Sequence, residues 1–139
     1  MIAIPTFQMG RFRLAALLIG VVVFFWLRVE DDNAIAATVC AFLSACLIIT
    51  GWAWRKAGGR SYSWRRLMAT CAALGGLVGL GTAASAALLM LIKNGLHGHL
   101  FPDFPFGMIA GVLALAPIWT IGGGLVGLGI GAVWVVRKT

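Results

Sequence analysis

The sequence predicts an all-α polytopic membrane protein, with four transmembrane helices in an antiparallel bundle and both termini cytoplasmic. Three observations predict it. Of 139 residues, 61% are hydrophobic and 11% charged, with a mean hydropathy of +0.99. The apolar residues collect in long uninterrupted segments, and the basic residues collect in alternate connections. A soluble domain usually carries ~25% charge. Eleven Lys/Arg and four Asp/Glu cannot coat a globule of this size in water. Soluble, disordered and disulfide-rich secreted classes are excluded on that ground.

The spans are expected at about 12–29, 34–54, 67–92 and 106–136 of a single membrane domain. A cytoplasmic loop at 55–66 and exoplasmic loops at 30–33 and 93–105 join them. Crossing a ~30 Å hydrocarbon core takes ~20 apolar residues. The second segment fits that length, the first is short, and the third and fourth need tilt, a kink or protrusion. The first also has traits of a signal peptide: Arg11 and Arg13 precede it, and Ala34-Ile35-Ala36 resembles a cleavage site. Glu30, Asp31 and Asp32 interrupt that pattern, so residues 1–36 are expected to stay as a span and its flank.

Charge sets the orientation. Arg11, Arg13, Arg55, Lys56, Arg60, Arg65, Arg66, Arg137 and Lys138 fall on one side of the four-segment hairpin. The acids Glu30, Asp31, Asp32 and Asp103 fall on the other, with Arg28 and Lys93. Basic residues in short loops mark the cytoplasmic face, here of a bacterial inner membrane or the equivalent side of a thylakoid or other organelle membrane. The net charge of +7 is therefore a topology signal. Nucleic acid is excluded as a partner, because a twelve-residue loop supplies no folded basic domain. Trp52, Trp54, Tyr62, Trp64 and Trp134 at the basic level read as an interfacial belt.

Glycine is patterned. Gly-Gly-Leu-Val-Gly-Leu-Gly occurs at 75–81 and again at 123–129. Gly75 and Gly79 continue into Ala83 and Ala87, and Gly123, Gly127 and Gly131 repeat the four-residue spacing. Small residues at that spacing let helix backbones approach closely, within one chain or across a subunit boundary. Pro117, followed by Gly122-Gly123-Gly124, predicts a kink or break near 116–123.

The central parts of the spans hold no Asp, Glu, Lys, Arg or His. Proton relays, voltage sensors and ion-coupled carriers need such groups, so rotor-ring and small multidrug transporter readings fail. Cys40, Cys46 and Cys71 lie within spans and form no Cys-x-x-Cys, which excludes a disulfide oxidase; they read as small buried apolar residues.

Chemistry-bearing residues concentrate in one exoplasmic segment. His97 and His99 are spaced to reach one cation, and Asp103 could add an oxygen ligand. A structural zinc site usually wants four ligands, so Glu30, Asp31 or Asp32 would have to complete it. The same histidines could hold a haem or chlorophyll, although the sequence requires no cofactor. The blander reading is a rigid cap, in which Pro102 and Pro105 stiffen the backbone and the histidines bond Asp103 or Asn94.

Function is expected to be non-enzymatic. An accessory or assembly subunit of a larger membrane complex fits best, meeting the lipid bilayer and other membrane subunits through the glycine faces or the 93–106 loop. A small oligomeric channel or carrier, not driven by intramembrane charge, is the alternative.

Overall fold

The computed structural model describes residues 2–29, 32–97 and 102–138. Five helices and two short strands follow in order: β1 (Ile2–Ala3), α1 (Met9–Arg28), α2 (Ala34–Ala57), β2 (Ser61–Tyr62), α3 (Trp64–His97), α4 (Phe106–Ala114) and α5 (Ala116–Lys138). Four of them, α1, α2, α3 and α5, are long and apolar enough to cross a membrane.

Local chemistry sets the helix ends. The Asn33 side chain accepts the Ile35 N–H at 2.9 Å and caps α2, satisfying a donor that the first turn leaves open. Arg55 and Lys56 occupy the last turn of α2, where positive charge suits the helix dipole. The chain then turns at Gly59, whose φ of +77° is a left-handed conformation open to glycine. Inside the helices the hydroxyls turn back on their own backbone. Those of Thr38, Ser44, Thr50, Thr70, Thr82 and Thr120 each donate to the carbonyl four residues earlier.

Several boundaries differ from the sequence reading. Helix α2 runs on to Ala57 and α3 starts at Trp64, so Arg55, Lys56, Arg65 and Arg66 of the loop expected at 55–66 are helical. Helix α1 starts at Met9, so Arg11 and Arg13 lie in its first turns. Helix α3 runs to His97, so Lys93 and Asn94 are helical and the connection expected at 93–105 begins later. At 34 residues and ~1.5 Å per residue it is about 51 Å long, well beyond the hydrocarbon core. The segment expected as one span at 106–136 is two helices, and of these α5 alone is long enough to cross.

The break between α4 and α5 falls at Leu115, just before the 116–123 stretch that the sequence singles out. Leu115 keeps a right-handed backbone (φ −81°, ψ −5°), so the chain bends without reversing. Its N–H reaches back only to Val112, at 3.3 Å, a tightened last turn. Pro117 lies in the first turn of α5, where its missing N–H leaves no helical bond unmade. Gly122-Gly123-Gly124 stays helical.

The helices pack in chain order: α1 on α2, α2 on α3, and α3 on both α4 and α5. Helix α3 is the centre, and its buried positions are mostly Gly, Ala and Thr, while α1 contributes no buried residue. Helices α3 and α5 run antiparallel, because rising numbers on one meet falling numbers on the other. A Cβ added at Gly75 would strike the carbonyl oxygen of Gly123, one at Gly79 that of Trp119, and one at Gly127 that of Cys71. At Gly131 an added Cβ would sit 3.2 Å from Cys71 Cβ. Gly51 of α2 faces Phe12 of α1 in the same way, with the ring filling the place of a side chain.

Each end of the helix row carries its own tie. At the basic end β1 pairs antiparallel with β2, Ile2 opposite Tyr62. Trp54 Nε1 donates to the Pro5 carbonyl at 2.8 Å, and the Arg55 guanidinium stacks 5.4 Å from the Phe7 ring centroid. The opposite end holds the apolar cluster of Ala37, Ala87, Met90, Phe104 and Ile109, flanked by Trp26, Ala34 and Val112.

Backbone contact makes a sharp prediction about methyl groups. Gly123→Ala is expected to lower the stability of the purified protein by about 1–3 kcal/mol, because a carbonyl rather than a side chain occupies the space. Gly129→Ala, with nothing within 4 Å of the added carbon, should stay within about 0.5 kcal/mol of the parent. Thermal unfolding in a mild detergent reads both.

Candidate functional site

Two features can carry function: a clamped connection at the apolar-cluster end, and a groove along α3.

The clamp is built from the last two turns of α3. Asn94 grips the backbone of Phe104 from both sides, its Oδ1 accepting the Phe104 N–H at 2.9 Å and its Nδ2 donating to the Phe104 carbonyl at 2.7 Å. Phe104 is thereby sunk to full burial. Lys93 is also fully buried, with Nζ 4.4 Å from the Trp26 ring centroid and 5.6 Å from that of Phe104. An ammonium over aromatic faces is attracted by the ring quadrupoles, more strongly away from water. Among the described residues the buried Trp26 Nε1 donor has no hydrogen-bond partner. One turn beyond Lys93, His97 Nδ1 lies 2.5 Å from Asp103 Oδ2, and both side chains are mostly covered. Imidazole at the C-terminus of a helix also suits the helix dipole when protonated.

Two of the residues singled out as possible ligands therefore meet, and they meet each other. His97 and Asp103 form a pair that fastens the connection to α3, and Asn94 and Lys93 fasten it again one turn earlier. His99, Glu30 and Asp31 lie outside the described residues, and Asp32 is exposed. Among the described residues no group of three or more His, Cys, Asp or Glu converges as a metal site would require. Sequence reasoning placed Lys93 and Asn94 in a loop and so missed them as partners of Phe104. The available signal was their spacing: Met90, Lys93, Asn94 and His97 share one helical face, continuing the buried stripe Ala83, Ala86 and Ala87.

The groove arises because α2 and α5 both lean on α3 from different sides. It has a volume of about 640 Å³ and an almost wholly apolar lining. Helix α2 supplies Phe42, Cys46 and Thr50, α3 supplies Cys71, Gly75, Val78, Gly79 and Thr82, and α5 supplies Ile118, Trp119, Val126 and Ile130. Gly75 and Gly79 on α3 bring the α5 backbone close and so set the floor of the groove. All three cysteines are free thiols. Cys40 is buried, whereas Cys46 and Cys71 are half-buried and line the groove. A smaller depression of about 220 Å³ lies between α1 and α2.

The chain matches no protein-family model, no curated protein and no solved structure. Its function has to be argued from these features.

The clamp is testable at one side chain. Asn94→Ala leaves the buried Phe104 N–H and carbonyl without their partners, and is expected to cost about 1–3 kcal/mol. Thermal unfolding should show this loss, and protease sensitivity should rise within residues 102–105.

Proposed function

We propose that the chain is a small, non-enzymatic subunit that accompanies or assembles a larger membrane protein complex. The observation that carries this reading is a set of glycines left uncovered. Gly107 and Gly111 lie on the face of α4 turned from Ile109 and Val112, and Gly129 lies on the side of α5 turned from α3. An added Cβ at any of the three would meet nothing within 4 Å. Glycine in a helix costs about 1 kcal/mol relative to alanine, and in membranes that cost is offset where a second backbone comes close. The α3–α5 contact is an instance of this inside the chain. The outward glycines offer the same chemistry to another helix.

Charge supports an orientation with both termini and the 58–63 connection in the cytoplasm, in a bacterial inner membrane or the equivalent face of a thylakoid. The clamped 102–105 connection is then a rigid exoplasmic surface and a second place for a partner to dock. A channel or carrier is disfavoured by the hydroxyls. Those of Thr38, Ser44, Thr50, Thr82 and Thr120 are committed to their own helices and supply no polar path through the membrane.

Extraction in a mild detergent followed by native electrophoresis tests the proposal. Co-migration with larger subunits is expected, and Gly111→Leu with Gly129→Leu should release the chain without unfolding it. A discrete homo-oligomer that supports solute flux in liposomes would overturn it.

A further inference from the structure

We propose that the groove holds one anionic phospholipid, with an acyl chain lying along α3 and the phosphate between Arg65 and Arg137. The dimensions fit such an occupant. Cys71 and Thr82 both line the groove and are eleven residues apart, about 16 Å at ~1.5 Å per residue. One leaflet contributes about half of a ~30 Å hydrocarbon core. A groove of about 640 Å³ running along that length accommodates a hydrocarbon chain.

The lining agrees. Thr50 and Thr82 donate to carbonyls of their own helices, and apart from the Trp119 indole the remaining groups in the groove are hydrocarbon, thiol or glycine. So apolar a lining favours an apolar chain over a polar ligand.

Charge stands at one end of the groove. On α5 the lining face of Val126 and Ile130 returns, seven residues on, at Arg137, about 10 Å beyond Ile130. Side chains on a helix tilt towards its N-terminus, so Arg137 leans back towards the groove. On α3 the face through Cys71 continues to Trp64, and the Arg65 guanidinium lies 5.2 Å from the Trp64 ring centroid. The antiparallel register brings these two helix ends together: a Cβ at Gly131 would lie 3.3 Å from Met68 Cα. Beyond the other end, the next basic residue on α3 is Lys93, which is fully buried over Trp26 and Phe104. A molecule with hydrocarbon at one end and an anion at the other is therefore oriented one way only, and guanidinium forks suit phosphate oxygens. The inference stands apart from the identity of any larger complex.

Native mass spectrometry of the purified chain in micelles holding equal phosphatidylglycerol and phosphatidylcholine tests it. One retained lipid is expected, with phosphatidylglycerol preferred. Arg65→Gln and Arg137→Gln should each lower that preference by roughly five-fold. Cys46→Phe with Val78→Phe should abolish retention by filling the groove. A photo-crosslinker at position 78 should label lipid. Equal retention of the two lipids by the parent chain would sink the proposal, as would a preference unchanged in the double arginine variant. Crosslinking of position 78 to a second copy or to another polypeptide would also overturn it, while leaving the subunit reading intact.

Discussion

The contact between the backbones of α3 and α5 is the constraint on which the remaining structure depends. In a bilayer, helices gain nothing from leaving water, so association rests on dispersion and on weak Cα–H···O contacts that need close approach. Gly75, Gly79, Gly123 and Gly127 allow that approach because each stands against a carbonyl of the other helix. The pairing fixes α5 against the centre of the row and sets its antiparallel register. It also explains why Gly122-Gly123-Gly124, a stretch with weak helical propensity, remains helical: a neighbouring backbone supports it.

From that contact the shape of the molecule follows. Helix α2 packs on another side of α3 through small residues such as Ala41 and Ala45, and Gly81 opposes Ala45 and Ile49. Two helices leaning on one narrow helix leave a groove between them. Glycine on α3 serves the contact with α5, and the groove lies beside that contact. Helix α1 is joined mainly at its ends, by the Arg55, Phe7 and Phe12 stack at one and by Trp26 over Lys93 at the other. Its middle is held loosely, and most of its apolar side chains face outward.

The two ends of the row are chemically opposite. The basic end uses hydrogen bonds and cation–π stacking among groups that stay near water, where each contact is worth little and several act together. At the other end charge and amide are buried with aromatic rings, where an unmet group is costly. The second arrangement therefore specifies geometry more strictly. It holds the 102–105 connection to one position on α3, which suits a surface presented to a partner.

The sequence by itself determined that this is a membrane protein with four apolar helices, because hydrophobic content and segment length are properties of the chain before it folds. It also located the basic residues, the glycine repeats, the proline and the His97–Asp103 segment. Tertiary structure decided which of these features meet. Periodicity gives a helix several faces and does not say which one finds a neighbour. Gly123 and Gly129 belong to the same heptapeptide, yet one touches a backbone and the other meets open space. Lys93 looked like a loop cation, since charge is costly inside a membrane. Folding placed Trp26 and Phe104 around it from distant parts of the chain, and only that enclosure makes its burial favourable. The division of the fourth segment at Leu115 has a similar origin. Proline announced a disturbance, while packing of α4 on the end of α3 and of α5 along its glycines decided where the bend fell.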